Sequence, residues 1–435
     1  MSMPKLQIKE KPGHKLSLED QFLTRFSWCC RKFRESSLIG EEKALPWLLG
    51  KINELMGLFP NTVFVKGLRS LRLSDLSEES QAVFFCLCEL FAASPLEPAN
   101  ASSVMFRQSE ETFENGIEAL VGQGLVVSVA VNVAEESKAS KDNYLISPEV
   151  CGKLFHGREE LIRPTVVAQF GMLKLSKNIP PKELIFPDNL QARLHLISEA
   201  VLPEHFDQVV AELARHGMRS SVTALLYGPP GTGKTKFVCQ LAKNTGRNLL
   251  QVDCAKLDAT YYGEKPRNLR NFFRLTRYAS AISSLVPIVF VDEADGIFGR
   301  RVQVEKAADK EENTTANIIL EELNTFNGIL LAATNNIANL DPAMNRRFLL
   351  KAEFPVPSIP TLARIWQSKL PWLNPDEADT LAERFPISGG VIDNVVSLCH
   401  LEIIICGKEP SLNRIQQLCV EQSGKVRSVP IGFKQ

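Results

Sequence analysis

The sequence has no excess of charge of either sign: Lys+Arg and Asp+Glu both number 50 in 435 residues. No global field therefore draws the chain toward nucleic acid or anionic lipid, and such an affinity would need a local patch. No apolar run approaches the length of a membrane span, and the opening MSMPKLQIKEKPGHK lacks the apolar core of a secretion signal. The ten cysteines include no C-x-x-C spacing, and none of the six histidines joins a cysteine cluster at ligand spacing, which argues against a zinc site. Most cysteines sit in apolar surroundings, as reduced core thiols of a cytoplasmic protein would. Internal repeats and low-complexity tracts are absent as well.

What remains is ordinary globular composition, 44% apolar and 23% charged, in a chain long enough for two or three domains. Residues 1–69 form an N-terminal helical region with two helical patterns, LEDQFLTRFSWCCRKF and EEKALPWLLGKINELM, the second interrupted at Pro46. Residues 70–160 read as helix, helix, hairpin and short helix, a winged-helix-like module, although a helical adaptor fits equally well. Residues 161–195 are proline-rich and read as a linker. From 196 to 358 strands alternate with helices: TALLYG, NLLQVD, PIVFVD, GILLAATN and KAEFPV. Near-continuous Leu/Val/Ile/Phe strands separated by helices predict an α/β fold, with a parallel sheet covered on both faces. Residues 359–435 are mainly helical and read as a lid on the α/β unit.

The first of those strands runs into GPPGTGKT, the phosphate-cradle pattern G-x-x-x-x-G-K-[ST]. Gly228, Pro229, Pro230, Gly231, Thr232 and Gly233 leave backbone N–H groups free to converge on an anion. A helix beginning near Gly233 adds the positive end of its dipole. Lys234 supplies a mobile charge for the outer phosphates, and Thr235 a hydroxyl for Mg²⁺. Further on, PIVFVDEAD ends an apolar strand in Asp292 and Glu293. Asp292 at the strand end suits the Mg²⁺ shell, and Glu293 suits polarisation of an attacking water. Asp295 reads as a surface or supporting carboxylate.

The next strand ends in Thr334 and Asn335, either a strand-end cap or groups that orient the lytic water. LDPAMNRRF then carries Arg346 and Arg347, either a solvated pair or a source of charge for a neighbouring subunit's site.

In this order, GPPGTGKT, FVDEAD, AATN and LDPAMNRRF resemble the AAA ATPases, over about residues 196–425. The likeness is nearest to bacterial members with an N-terminal winged-helix-like region. It implies an ATP- and Mg²⁺-dependent hexameric ring that hydrolyses ATP, with Asn335 as a sensor and Arg346 and Arg347 acting across subunits. It also implies that Gly389 and Gly390 in FPISGGVIDNVV start a lid helix near the nucleotide.

Two segments depart from the family pattern. Arg346-Arg347-Phe348 stands where a longer R-P-G-R-F is common. Tyr261-Tyr262-Gly263-Glu264-Lys265 stands for an aromatic pore loop, suited to gripping an extended polypeptide or to packing at a subunit interface. The polar run 300–315 reads as a solvated loop or a second channel-facing loop.

Together these readings predict an ATP-driven machine that remodels or threads a macromolecule, most readily protein. The alternative is a nucleic-acid-associated switch using residues 70–160. Against it, the helix RQSEETFENGIEALV carries Glu110, Glu111, Glu114 and Glu118 opposite one arginine, and the wing sets Glu135 and Glu136 against Lys138 and Lys141.

Overall fold

A computed structural model describes residues 16–35, 41–94, 97–99, 104, 110–129, 143–165, 171–257, 264–299 and 307–423. The chain divides into two compact units, one of residues 1–165 with 277–284, the other of 166–276 with 285–435. Of the five spans expected from the sequence, 161–195 is divided between the two units at 165/166, and 196–358 gives residues 277–284 to the first unit.

The first unit is built from α1 (Leu18–Arg34), α2 (Glu41–Leu58), α3 (Val63–Ser70), α4 (Glu78–Ala93) and α5 (Glu110–Gly122), then the hairpin β1 (Val126–Ser128) and β2 (Tyr144–Ile146), then α6 (Pro148–Phe155). Local signals set several helix starts: Ser17, Thr62, Ser77 and Ser147 each accept a bond from a backbone N–H inside the first turn. Pro46 does not interrupt α2; the helix runs through it. Proline there forgoes one backbone bond, and the buried stripe Ala44, Leu48, Ile52 and Leu55 holds the helix together across it. β1 and β2 pair antiparallel with Val126 opposite Ile146. The wing residues Glu135, Glu136, Lys138 and Lys141 lie outside the described residues.

The second unit holds a six-stranded sheet in the order β3-β5-β6-β7-β4-β8. Its elements are β3 (Gly171–Lys174), α7 (Asp188–Val201), α8 (Pro203–Arg215), β4 (Val222–Tyr227), α9 (Lys234–Thr245), β5 (Leu249–Val252), α10 (Cys254–Leu257), α11 (Glu264–Ile282, whose last turns belong to the first unit), β6 (Ile288–Val291), α12 (Ala307–Thr325), β7 (Ile329–Thr334), α13 (Pro342–Asn345) and β8 (Leu350–Glu353). Strands β4 to β8 are mutually parallel; β4, β6 and β7 are buried almost throughout, whereas β8 at the sheet edge buries only Ala352.

β3 was not foreseen. It lies in the stretch expected to be only a linker, pairs antiparallel with β5, and makes the sheet mixed. Four residues with an exposed Met172 carry too little pattern to announce a strand. Gly171 permits the pairing, because a Cβ there would collide with the Gln251 carbonyl.

The lid follows as α14 (Ile359–Lys369), α15 (Pro375–Arg384), α16 (Gly389–Cys406) and α17 (Leu412–Ser423). These helices enclose their own core, with Trp366, Leu381, Phe385, Ile392 and Ile415 fully buried. Against the sequence expectation, α16 is long and apolar enough to cross a membrane by length and composition. Its Ile392, Val395 and Cys399 are packed in the lid core.

Candidate functional site

Four parallel strands of the second unit end on one side of the sheet, and the polar residues that follow them meet there. β4 enters the phosphate loop, whose Gly231 and Gly233 take φ of +76° and +103°. Those values favour glycine, and at Gly231 a side chain would also strike Ser388 of the lid. α9 then begins at Lys234, one residue after left-handed Gly233, so its first N–H groups face the loop.

Lys234 is buried, and its Nζ donates to three oxygens: Gly228 O at 2.6 Å, Pro229 O at 2.9 Å and Asn335 Oδ1 at 3.0 Å. The last bond joins the loop after β4 to the tip of β7. Burial lowers the Lys234 pKa, and the nearby Asp292 carboxylate opposes that shift. Thr235 Oγ1 donates to Asp292 Oδ2 at 2.8 Å, which joins the start of α9 to the end of β6. Two hard oxygen donors side by side fit Mg²⁺, which keeps several waters and takes few protein ligands.

Glu293 follows in an unusual backbone state, with φ 51° and ψ 46°. A non-glycine residue in the left-handed region is strained, and such strain gathers at functional sites. Its N–H donates to Asp292 Oδ1 at 3.1 Å, while its side chain stands exposed above the strand ends.

The sequence undervalued Asp295. Half-buried, it accepts a bond from Thr334 Oγ1 at 2.9 Å, and Thr334 is 1% exposed. The β6 turn is thus fixed to the tip of β7, where Asn335 emerges. Cys254 was not singled out either. Its thiol donates to the Asp292 carbonyl at 3.1 Å, and burial, with Glu293 and three aspartates nearby, pushes its pKa up to about 11.

The two arginines after α13 separate. Arg347 is held within its own chain: Nε donates to Asn324 Oδ1 at 3.2 Å and Nη1 to Ala343 O at 2.9 Å. Its carbonyl accepts from Arg219 Nη1 and Thr223 Oγ1. Arg346 is exposed, and its side chain makes no hydrogen bond or ion pair among the described residues. Arg346 and Arg347 therefore do not form one interchangeable pair.

Beside the phosphate loop a cavity lies between Gly231–Gly233, the segment 182–186, the end of α14 and the first residue of α16. Phe186 and Ile365 supply apolar wall, and Lys182, Lys236 and Lys369 line it as well. Gly390 N donates to Gly231 O at 2.9 Å, which seats the lid helix directly on the loop. Tyr261, Tyr262, Gly263 and residues 300–306 lie outside the described residues.

Comparison with known proteins agrees with this geometry. The ATPase family associated with various cellular activities (AAA) matches residues 224–356, from β4 to just past β8. Similar proteins include a 26S proteasome regulatory subunit 4 homolog of Oryza sativa subsp. japonica, 34% identical over 185 residues, which are 41% of this chain and 40% of that protein. The 26S proteasome regulatory subunit 6A of Saccharomyces cerevisiae is 37% identical over 157 residues, 35% of each chain. A 26S proteasome regulatory subunit 4 homolog of Dictyostelium discoideum is 32% identical over 206 residues, 46% of this chain and 45% of that protein. In each case the match spans less than half the relative. With Lys234, Thr235, Asp292 and Asn335 gathered at the strand ends, residues 224–356 are an AAA ATPase domain, distantly homologous to the proteasomal regulatory ATPases.

Proposed function

We propose that this protein hydrolyses ATP in a homo-oligomeric ring, most simply a hexamer, and uses the energy to remodel or thread a protein substrate. The observation that carries this reading is the pair of bonds Lys234–Asn335 and Thr235–Asp292, which ties three strand ends into one site. The loop N–H groups and Lys234 receive the phosphates, so the Lys234 bonds to Gly228, Pro229 and Asn335 are exchanged for phosphate oxygens. Thr235 and Asp292 are the residues to hold Mg²⁺, which when bound neutralises charge between the β- and γ-phosphates.

Glu293 takes a proton from water as its oxygen bonds to the γ-phosphorus, while the bond from that phosphorus to the bridging oxygen breaks and ADP departs. Asn335 orients the water. Arg346, exposed and uncommitted, is the better candidate to reach a neighbouring subunit's γ-phosphate, and Arg347 fixes the turn that presents it. The cavity beside Gly231–Gly233, with Phe186 and Ile365 in its wall, suits the base.

A protein substrate is favoured over nucleic acid on two grounds. The relatives are proteasomal ATPases, and the first unit's α5 exposes Glu114 and Glu118, which would repel phosphates.

The test is ATP binding and turnover by wild type, Lys234→Ala and Glu293→Gln. Lys234→Ala is expected to abolish Mg²⁺-dependent ATP binding. Glu293→Gln is expected to keep binding and lower kcat by about 10²–10⁴-fold. An unfolded protein should stimulate wild-type turnover more than DNA does; the opposite order would transfer the assignment to a nucleic-acid-associated switch.

A further inference from the structure

Phosphate chemistry leaves one charge cluster of the second unit unexplained. Asp393 lies one turn into α16, and ammonium groups from three other segments converge on its carboxylate. Lys182 Nζ stands 3.7 Å from Oδ1. Lys236, the residue after Thr235 on α9, and Lys369, the last residue of α14, pair with the same carboxylate.

Three cations around one anion is not an ordinary surface ion pair. The Asp393 and Lys369 side chains are shielded, at 22% and 21% exposed, whereas Lys236 and Lys182 are more open at 39% and 44%. The crowding acts on the lysines. Burial, then Lys182 and Lys236, push Lys369 down to about 8, and burial followed by Lys182 lowers Lys236.

The placement gives the cluster a direction. Lys182 and Lys236 belong to the nucleotide-binding core, whereas Lys369 and Asp393 both belong to the lid. All three lysines line the cavity beside the phosphate loop. Gly390 fixes the start of α16 to Gly231, and Asp393 is the next point along that helix with a bond to the core. Swinging the lid outward would break the Lys182 and Lys236 pairs and leave the Lys369 pair intact.

We infer that Asp393 is a positioning residue of the nucleotide site: its carboxylate fastens the lid to Lys236 and Lys182 and thereby sets the closed form of the cavity for the sugar–base end of the nucleotide. This inference rests on the ATP-site reading given above. Without the carboxylate, three ammonium groups face one another with no counter-ion, so the lid moves off the loop and the cavity widens. Removing a lysine as well relieves part of that repulsion, a response that loss of packing alone would not produce.

The experiment uses the full chain. ATP affinity, KM and kcat are measured with Mg²⁺ for wild type, Asp393→Asn, Asp393→Glu and the double variant Asp393→Asn/Lys369→Met, with Lys234→Ala as control. Amide hydrogen exchange over residues 389–396 in nucleotide-free protein reads the fastening independently of ATP. Asp393→Asn is expected to speed that exchange and raise KM about tenfold, with kcat within about threefold. Asp393→Glu should restore most of the loss, and the double variant part of it. Unchanged exchange and KM in Asp393→Asn would overturn the inference, as would a double variant no better than the single one. Wild-type protein that fails to bind ATP, or binds it equally after Lys234→Ala, would overturn the ATP-site reading instead, and the exchange data would still decide the fastening.

Discussion

The two units of this chain bury polar groups for different purposes. Among the described residues of the first unit, the buried charge is Glu89, 2% exposed, and it is neutralised where it stands: Ser27 donates to it at 2.7 Å, and Arg34 pairs with it. Around it the core is aromatic, with Phe22, Phe26 and Phe64 in mutual ring contact and Phe155 packed on Phe64. In the second unit, buried Lys234 and Thr334 sit at strand ends and bond across to other strands' tips. A buried ion pair that closes on itself organises a core. Polar groups converging at the carboxyl ends of parallel strands organise a binding site, because there the sheet stops and the loops diverge.

The comparison makes a prediction that can break it. Loss of a group free to act should cost turnover and spare stability, loss of a committed one the reverse, and the two arginines give the largest contrast. Arg346→Ala should lower kcat by about 10³-fold, in the range for loss of an arginine that acts across an interface, with the melting temperature unchanged. Arg347→Ala removes bonds to Asn324 and Ala343 and should instead cost about 1–3 kcal/mol of stability, measured by denaturant unfolding. Equal kinetic effects from both would mean that the committed and the exposed arginine act alike.

The converse concerns the first unit. Phe64 is fully buried, with ring centroids 5.0 Å from Phe26 and 5.3 Å from both Phe22 and Phe155. Phe64→Ala should destabilise that unit by about 3–5 kcal/mol. ATP affinity should stay within about twofold, measured by titration below the melting transition. A large loss of affinity would show that the aromatic core is coupled to the site.

Legibility in the sequence follows the same division. The central parallel strands were readable because a doubly covered strand must be apolar along its buried length, as Ile288–Val291 and the first five residues of Ile329–Thr334 are. The phosphate loop was readable because its chemistry requires glycine, lysine and threonine at fixed spacing. β3 was not, since a four-residue edge strand with one face exposed has no period to detect. Nor was the difference between Arg346 and Arg347, which depends on where Asn324 falls once α12 packs. The Asp393 cluster draws its lysines from positions 182, 236 and 369, and no local spacing connects them. Pattern reveals what one element demands by itself; contacts between distant elements leave no mark on it.

The smallest expected effect tests whether the strand-end site is as closed as its bonds imply. Cys254 opens α10 two residues after β5, and its thiol is donated to the Asp292 carbonyl. Its pKa is raised to about 11, first by burial and then by Glu293, Asp253, Asp292 and Asp295, so the reactive thiolate is the minority form below that pH. At pH 8 about one thiol in a thousand is ionised, against roughly a quarter for an unperturbed cysteine. Alkylation with iodoacetamide, followed by peptide mass spectrometry, should label exposed Cys406 early and half-buried Cys254 much more slowly. Glu293→Gln removes one of the charges that suppress ionisation and should speed Cys254 labelling by a few-fold, with no change at Cys406. Rapid labelling of Cys254 in wild type would mean that the carboxylates at the end of β6 are not gathered around it, and the convergence of polar groups on the strand ends would lose one of its members.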